Sequence, residues 1–169
     1  MCLFAVALAM LGGCAATSHR GAIAMPAPLP GDIEGQIMSV TGPGFTICAV
    51  NADTPDHSDQ YDVTICGSVS KAQAALPSRF AGKCTLRAYQ AGDGGSHTPQ
   101  QLVVQWWAYR TTGPAFLVAS TRITDDGMID VGIDGDLKAA KDVLDRQFPG
   151  WTKVHAEAAA GNLLGPTKT

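Results

Sequence analysis

A chain of 169 residues with 46% apolar and only 16% charged side chains has room for one domain with a sizeable core and a sparsely charged surface. The formal charge of -3, with the twelve Lys and Arg scattered and never in a run, excludes the clustered basic face that nucleic acid requires. Nineteen glycines and ten prolines favour many turns over long helices.

The chain opens on "CLFAVALAML" (2–11), which has no charged side chain. About ten apolar residues are roughly half of what a membrane-spanning helix needs, and they match the apolar core of an export signal instead. Gly12, Gly13 and Cys14 follow, and Leu11-Gly12-Gly13-Cys14 resembles the lipobox of bacterial lipoproteins. The resemblance implies a signal peptide over 1–13, diacylglycerol on the Cys14 sulfur, cleavage before Cys14 and acylation of the new amino terminus. The stretch lacks the Lys or Arg with which such signals begin, the first charged residue being Arg20. Several acyl chains anchor a protein durably, at about 0.8 kcal/mol per buried CH₂. In that family Ala15 after the lipidated cysteine implies passage to the outer membrane, facing the periplasm. Residues 14–32 then read as the lipidated cysteine and a tether, extended by Pro26, Pro28 and Pro30.

The folded part is expected over 33–155. "IEGQIMSV" (33–40) and "FTICAV" (45–50) read as strands joined by the turn "TGPG". "YDVTICG" (61–67) alternates Tyr61, Val63 and Ile65 against Asp62, Thr64 and Cys66 and predicts a strand. "SVSKAQAALPSRF" (68–80) predicts a short helix capped by Ser68 or Ser70 and ended by Pro77; "CTLRAYQ" (84–90) is another strand. Beyond a loop, "QLVVQWWAYR" (101–110), "FLVASTRI" (116–123) and "MIDVGI" (128–133) read as a three-stranded antiparallel meander. Leu137, Ala140, Leu144 and Phe148 fall at helical spacing, with Asp134 or Asp136 as cap and Pro149-Gly150 as stop. Residues 156–169 have weak periodicity and read as a flexible tail. No long repeat stands out, although "TIC" occurs at 46–48 and 64–66. The expected fold is α+β: an antiparallel sheet of about six to seven short strands with one or two helices on a face.

With Cys2 lost in the signal and Cys14 lipidated, Cys48, Cys66 and Cys84 remain. Export to an oxidising compartment predicts one disulfide. The equal spacing leaves the pair open, with a preference for Cys66–Cys84 bracketing the short helix and Cys48 as the alternative partner. No CxxC or HxxxH pairing supports zinc, and no motif flanks a catalytic thiol.

Asp53, Asp56, Asp59 and Asp62, with His57 among them, offer oxygens to a hard cation, but Asp with Pro, Asn and Ser is ordinary turn chemistry. In "DVGIDGDLKAAK" (130–141) Asp130, Asp134 and Gly135 follow the order of a calcium loop, yet Lys141 stands where a bidentate Glu is needed. Helix capping is the better account, and no metal or other cofactor is expected. On the predicted strand 101–110, Trp107 and Tyr109 share one face and Trp106 the other, so Trp107 and Tyr109 are candidates for a ligand-binding platform. The commoner use of such aromatics is in a core. His57, His97 and His155 are isolated, and no nucleophile elbow, phosphate-binding loop or HExxH motif appears. The reading is a non-enzymatic, membrane-anchored envelope lipoprotein whose domain binds an envelope protein or other macromolecule in a structural, assembly or inhibitory role. A glycan- or small-ligand-binding lipoprotein is the alternative, and an envelope hydrolase ranks third.

Overall fold

The computed structural model describes residues 20, 23, 25–52, 60–91 and 97–157. The expected signal peptide, Cys14 and residues 158–169 lie outside them, as does the aspartate-rich stretch 53–59. Elements follow the order α1 (Ile33–Met38), β1 (Thr41–Gly42), β2 (Phe45–Ala52), β3 (Tyr61–Gly67), α2 (Val69–Ala75), β4 (Cys84–Ala88), α3 (Pro99–Arg110), β5 (Phe116–Ile123), β6 (Ile129–Gly135), α4 (Leu137–Gln147) and β7 (Thr152–Ala156). A short 3-10 turn, Ser78–Phe80, lies between α2 and β4.

The class is α+β, but the strands form two mixed sheets, β1-β2-β3-β4 and β5-β6-β7, where one antiparallel sheet was expected. Each has an antiparallel hairpin, β2–β3 or β5–β6, followed by a helix that returns the chain to a parallel partner, β4 or β7. A parallel neighbour needs such a crossover, because a tight turn can only reverse the chain.

The molecule is therefore a duplicated α-β-β-α-β unit, and the sequence carries the duplication. TGPGF (41–45) recurs as TGPAF (112–116). Without a gap, residues 61–89 align on 129–157, so that Asp62, Val63, Ile65, Gly67, Ala72, Leu76, Phe80 and Gly82 recur as Asp130, Val131, Ile133, Gly135, Ala140, Leu144, Phe148 and Gly150. The backbone repeats in detail: β2 bulges between Ile47 and Ala49, and β5 between Val118 and Ser120. Gly67 and Gly135 share a left-handed φ of 109° and 113°, and each passes against a carbonyl of the preceding turn, that of Gly44 or of Ala115. Only glycine takes that conformation at such close approach without strain.

Two segments read as strands are helices. Residues 33–38 form α1, whose N-cap Asp32 accepts from the Gly35 amide. Residues 99–110 form α3, started by Thr98, Pro99 at the first turn and a reciprocal Thr98–Gln101 capping box. Valines and tryptophans give 101–110 the composition of a strand. The cap and the burial of Val103, Val104, Trp107 and Ala108, spaced as one helical face, override it. The expected meander thus loses its first member, and β7, unread in the sequence, completes the second sheet. The expected helices form as α2, capped by Ser68, and α4, capped by Asp136.

One core runs through both units, from Ile47, Val50, Val63 and Ile65 to Val131, Ile133, Leu144 and Phe148. Helix α3 packs on β2 as well as on β5, so a helix of the second unit closes the first unit's sheet. Fully burying each such side chain favours folding by about 1.5–3 kcal/mol. Among the described residues no helix is long and apolar enough to cross a membrane.

Candidate functional site

The disulfide joins Cys48 and Cys66, which corrects the Cys66–Cys84 pairing. Cys48 sits at the β2 bulge, beside β3, and its Cα lies 6.0 Å from that of Cys66. Cys84 pairs in register with Tyr61 at the opposite end of β3, five residues from Cys66. That separation is about 16 Å along a strand, beyond the roughly 7 Å that a disulfide spans. Cys84 is a free, half-buried thiol, and burial pushes its pKa up.

Helical geometry also separates the two candidate ligand residues. Neighbours two apart on a helix point to opposite sides: Trp107 is buried, 6% exposed, and Tyr109 is 57% exposed. They form no common platform. Trp107 belongs to the core, edge-on to Trp106 at 4.9 Å between ring centroids. Trp106 donates from Nε1 to the Val50 carbonyl at 2.7 Å, fastening α3 to β2.

What α3 builds instead is a cleft of about 560 Å³ at the junction of the units. Asp32, Glu34, Tyr61, Trp107, Arg110, Thr111 and Gln147 line it, and Pro26, Ala27 and Leu29 form one wall. Arg110 stacks on the Trp106 ring at 4.7 Å, pairs with Asp32 at 2.7 Å and also pairs with Glu34. Glu34 in turn accepts from the Ala52 amide at 2.8 Å. Arg110 thus ties α3 to α1 and holds two carboxylates at the cleft wall. The Trp107 Nε1–H is buried and has no acceptor among the described residues, a costly state for a donor.

On another face of α3, the outer stripe Leu102, Trp106 and Tyr109 falls at helical i, i+4, i+7 spacing. It lines a shallow groove of about 180 Å³ with Cys48, Ala49, Gln105 and Thr121, between the two sheets.

Polar groups gather on the outer face of the second sheet. His155 Nδ1 stands 3.0 Å from Asp130, which also holds Arg122 at 3.1 Å; His155 Nε2 is 3.8 Å from Glu157, and Ser120 donates to Glu157. Gly132 leaves the space: a Cβ there would meet Glu157 and Ser120. A histidine, two carboxylates and a hydroxyl are the parts of a hydrolytic site, but the serine is bonded to a carboxylate while the imidazole is turned to Asp130. A carboxylate is a weak base for a serine hydroxyl.

Of the remaining candidates, Asp62 pairs with Arg87 at 3.2 Å, and the His97 amide donates to the Tyr89 hydroxyl at 3.4 Å. Asp136 caps α4 by accepting from Lys138 and Ala139. No group of three or more His, Cys, Asp and Glu among the described residues could hold a metal ion.

The structure thus defines a duplicated α-β-β-α-β protein, fused through α3, with one disulfide and a cleft between its units. No family model matches the chain, and neither a curated protein nor a solved structure matches it.

Proposed function

We propose that this chain is a cell-envelope lipoprotein, anchored through acylated Cys14 in the outer membrane, whose periplasmic domain binds a macromolecular partner through the outer stripe of α3. The observation that carries the binding reading is that stripe: Leu102, Trp106 and Tyr109 in line, with Tyr109 57% exposed, on a helix that both units grip. Large aromatics half-bedded in a rigid surface are the commonest anchors of protein interfaces. The Leu11–Cys14 lipobox carries the anchoring, and the Cys48–Cys66 disulfide accords with an oxidising compartment.

A small-ligand reading moves from the Trp107/Tyr109 face to the cleft beside Arg110, which is favoured by its volume and by the Trp107 donor that lacks an acceptor among the described residues.

The test has two arms. Mass spectrometry of the protein extracted from its native membrane is expected to show a chain starting at acylated Cys14, and an unacylated chain overturns the anchoring. A photo-crosslinking side chain at position 109 in cells is expected to give one discrete adduct that Leu102→Ser abolishes. No adduct, or one indifferent to that change, overturns the binding surface.

A further inference from the structure

Ahead of α1, Arg20, Ile23, Met25, Pro26, Ala27 and Leu29 lie against the folded domain. Arg20 donates to the Asp126 carbonyl at 2.8 Å and stacks on the Trp151 ring at 4.8 Å. Ile23 packs against the core, and Arg20, Ile23 and Met25 line a groove with Pro99, Val103 and Trp151. Pro26, Ala27 and Leu29 then wall the cleft on the way to α1. The β5–β6 turn that receives Arg20 is itself braced: Asp126 takes hydrogen bonds from Lys153 and Thr124, which hold its carboxyl well below the usual carboxylate range.

Chain length turns this contact into a restraint. A free tether from Cys14 to Asp32 would reach about 60 Å, whereas the run from Cys14 to Arg20 reaches only about 20 Å at roughly 3.3–3.6 Å per residue. We infer that the docked segment orients the domain on the membrane, with the β5–β6 turn (124–128) and Trp151 nearest the lipid surface and the opposite end of β5, at Leu117, held about 20 Å further out. This rests on the reading of Cys14 as lipidated. Charge does not set the orientation, because Arg20 and Lys153 at this end are matched by Asp125 and Asp126. A short leash fastened at one point does.

The test uses the full-length lipidated protein in phosphatidylethanolamine–phosphatidylglycerol vesicles carrying an acceptor fluorophore on the headgroup. A donor dye is placed on Asp125→Cys or on Leu117→Cys, both exposed positions at opposite ends of β5, in a Cys84→Ser background with the disulfide left oxidised. Energy transfer is expected to be higher from position 125 than from position 117, and Arg20→Ala with Ile23→Ser is expected to erase the difference. With acylation verified by mass, equal transfer from the two positions, or a difference that survives the double change, overturns the orientation and leaves the anchor standing. Protein that carries no acyl group and stays off the vesicles overturns both.

Discussion

His155 stands on Asp130 at 3.0 Å in the place where, one unit earlier, Arg87 stands on Asp62 at 3.2 Å. The two pairs occupy the same register on the parallel strand pairs, Thr64 opposite Arg87 and Gly132 opposite His155. The two units keep the carboxylate and differ in its partner, a guanidinium in the first and an imidazole in the second. His155→Arg should therefore fold without strain and shift stability by no more than about 0.5 kcal/mol near neutral pH, since exposed pairs contribute little. Thermal melting of the variant beside the wild type checks this.

Cys48 and Cys66 close a loop of 18 residues. Losing that cross-link is expected to cost about 3 kcal/mol through the unfolded chain. Cys48→Ser with Cys66→Ser, compared by urea titration, reads the loss directly. In the unreduced processed protein one thiol, Cys84, should alkylate after unfolding, and three after reduction. An unreduced count of three would remove the disulfide.

Phe80 and Phe148 are equivalent core residues of the two units, 4% and 0% exposed. Truncating either to alanine should cost about 3–5 kcal/mol. Because one core spans both units, each change should lower a single melting transition rather than split it, as calorimetry would show.

Gly135 combines a φ of 113° with a position where a Cβ would press on the Ala115 carbonyl. Gly135→Ala is expected to destabilise by about 2 kcal/mol or more, from backbone strain and the clash together. Gly67→Ala should behave alike, its Cβ meeting the Gly44 carbonyl at 2.6 Å. At Gly82, where nothing lies within 4 Å, only the backbone cost of its φ of 77° applies, so the loss should be smaller.

Asp126 is a carboxyl whose pKa is lowered first by the hydrogen bond from Lys153 and then by that from Thr124. A depressed carboxylate stabilises the fold above the unfolded pKa, about 3.9, and the gain disappears as pH falls through the folded value. Asp126→Asn should therefore lower the melting temperature at pH 7. The gap to wild type should close progressively below about pH 4, and a gap independent of pH would contradict the sign.

Local signals account for what the sequence by itself determined. Alternation marked 61–67, and spacing and caps marked α2 and α4. The α+β class follows from those elements. Strand composition hid α3, although Thr98-Pro99 with Gln101 spells a capping box that could have revealed it. The repeat was legible in TGPGF and TGPAF, yet most of its matches are single residues spread over a long stretch, and only the superposed bulges and glycines give them weight.

Tertiary structure decided the rest, because it depends on which surfaces meet. Whether α3 is helix or strand is settled by the two sheets that bury its Val104–Trp107–Ala108 face, and that choice parts Trp107 from Tyr109. Equal spacing could not choose a cysteine pair; hairpin register, with Cys48 at a bulge beside β3, did. Composition along the chain records which residues prefer water or apolar company, but cleft, disulfide and docked segment arise from contacts between residues far apart in sequence, whose partners no local pattern names.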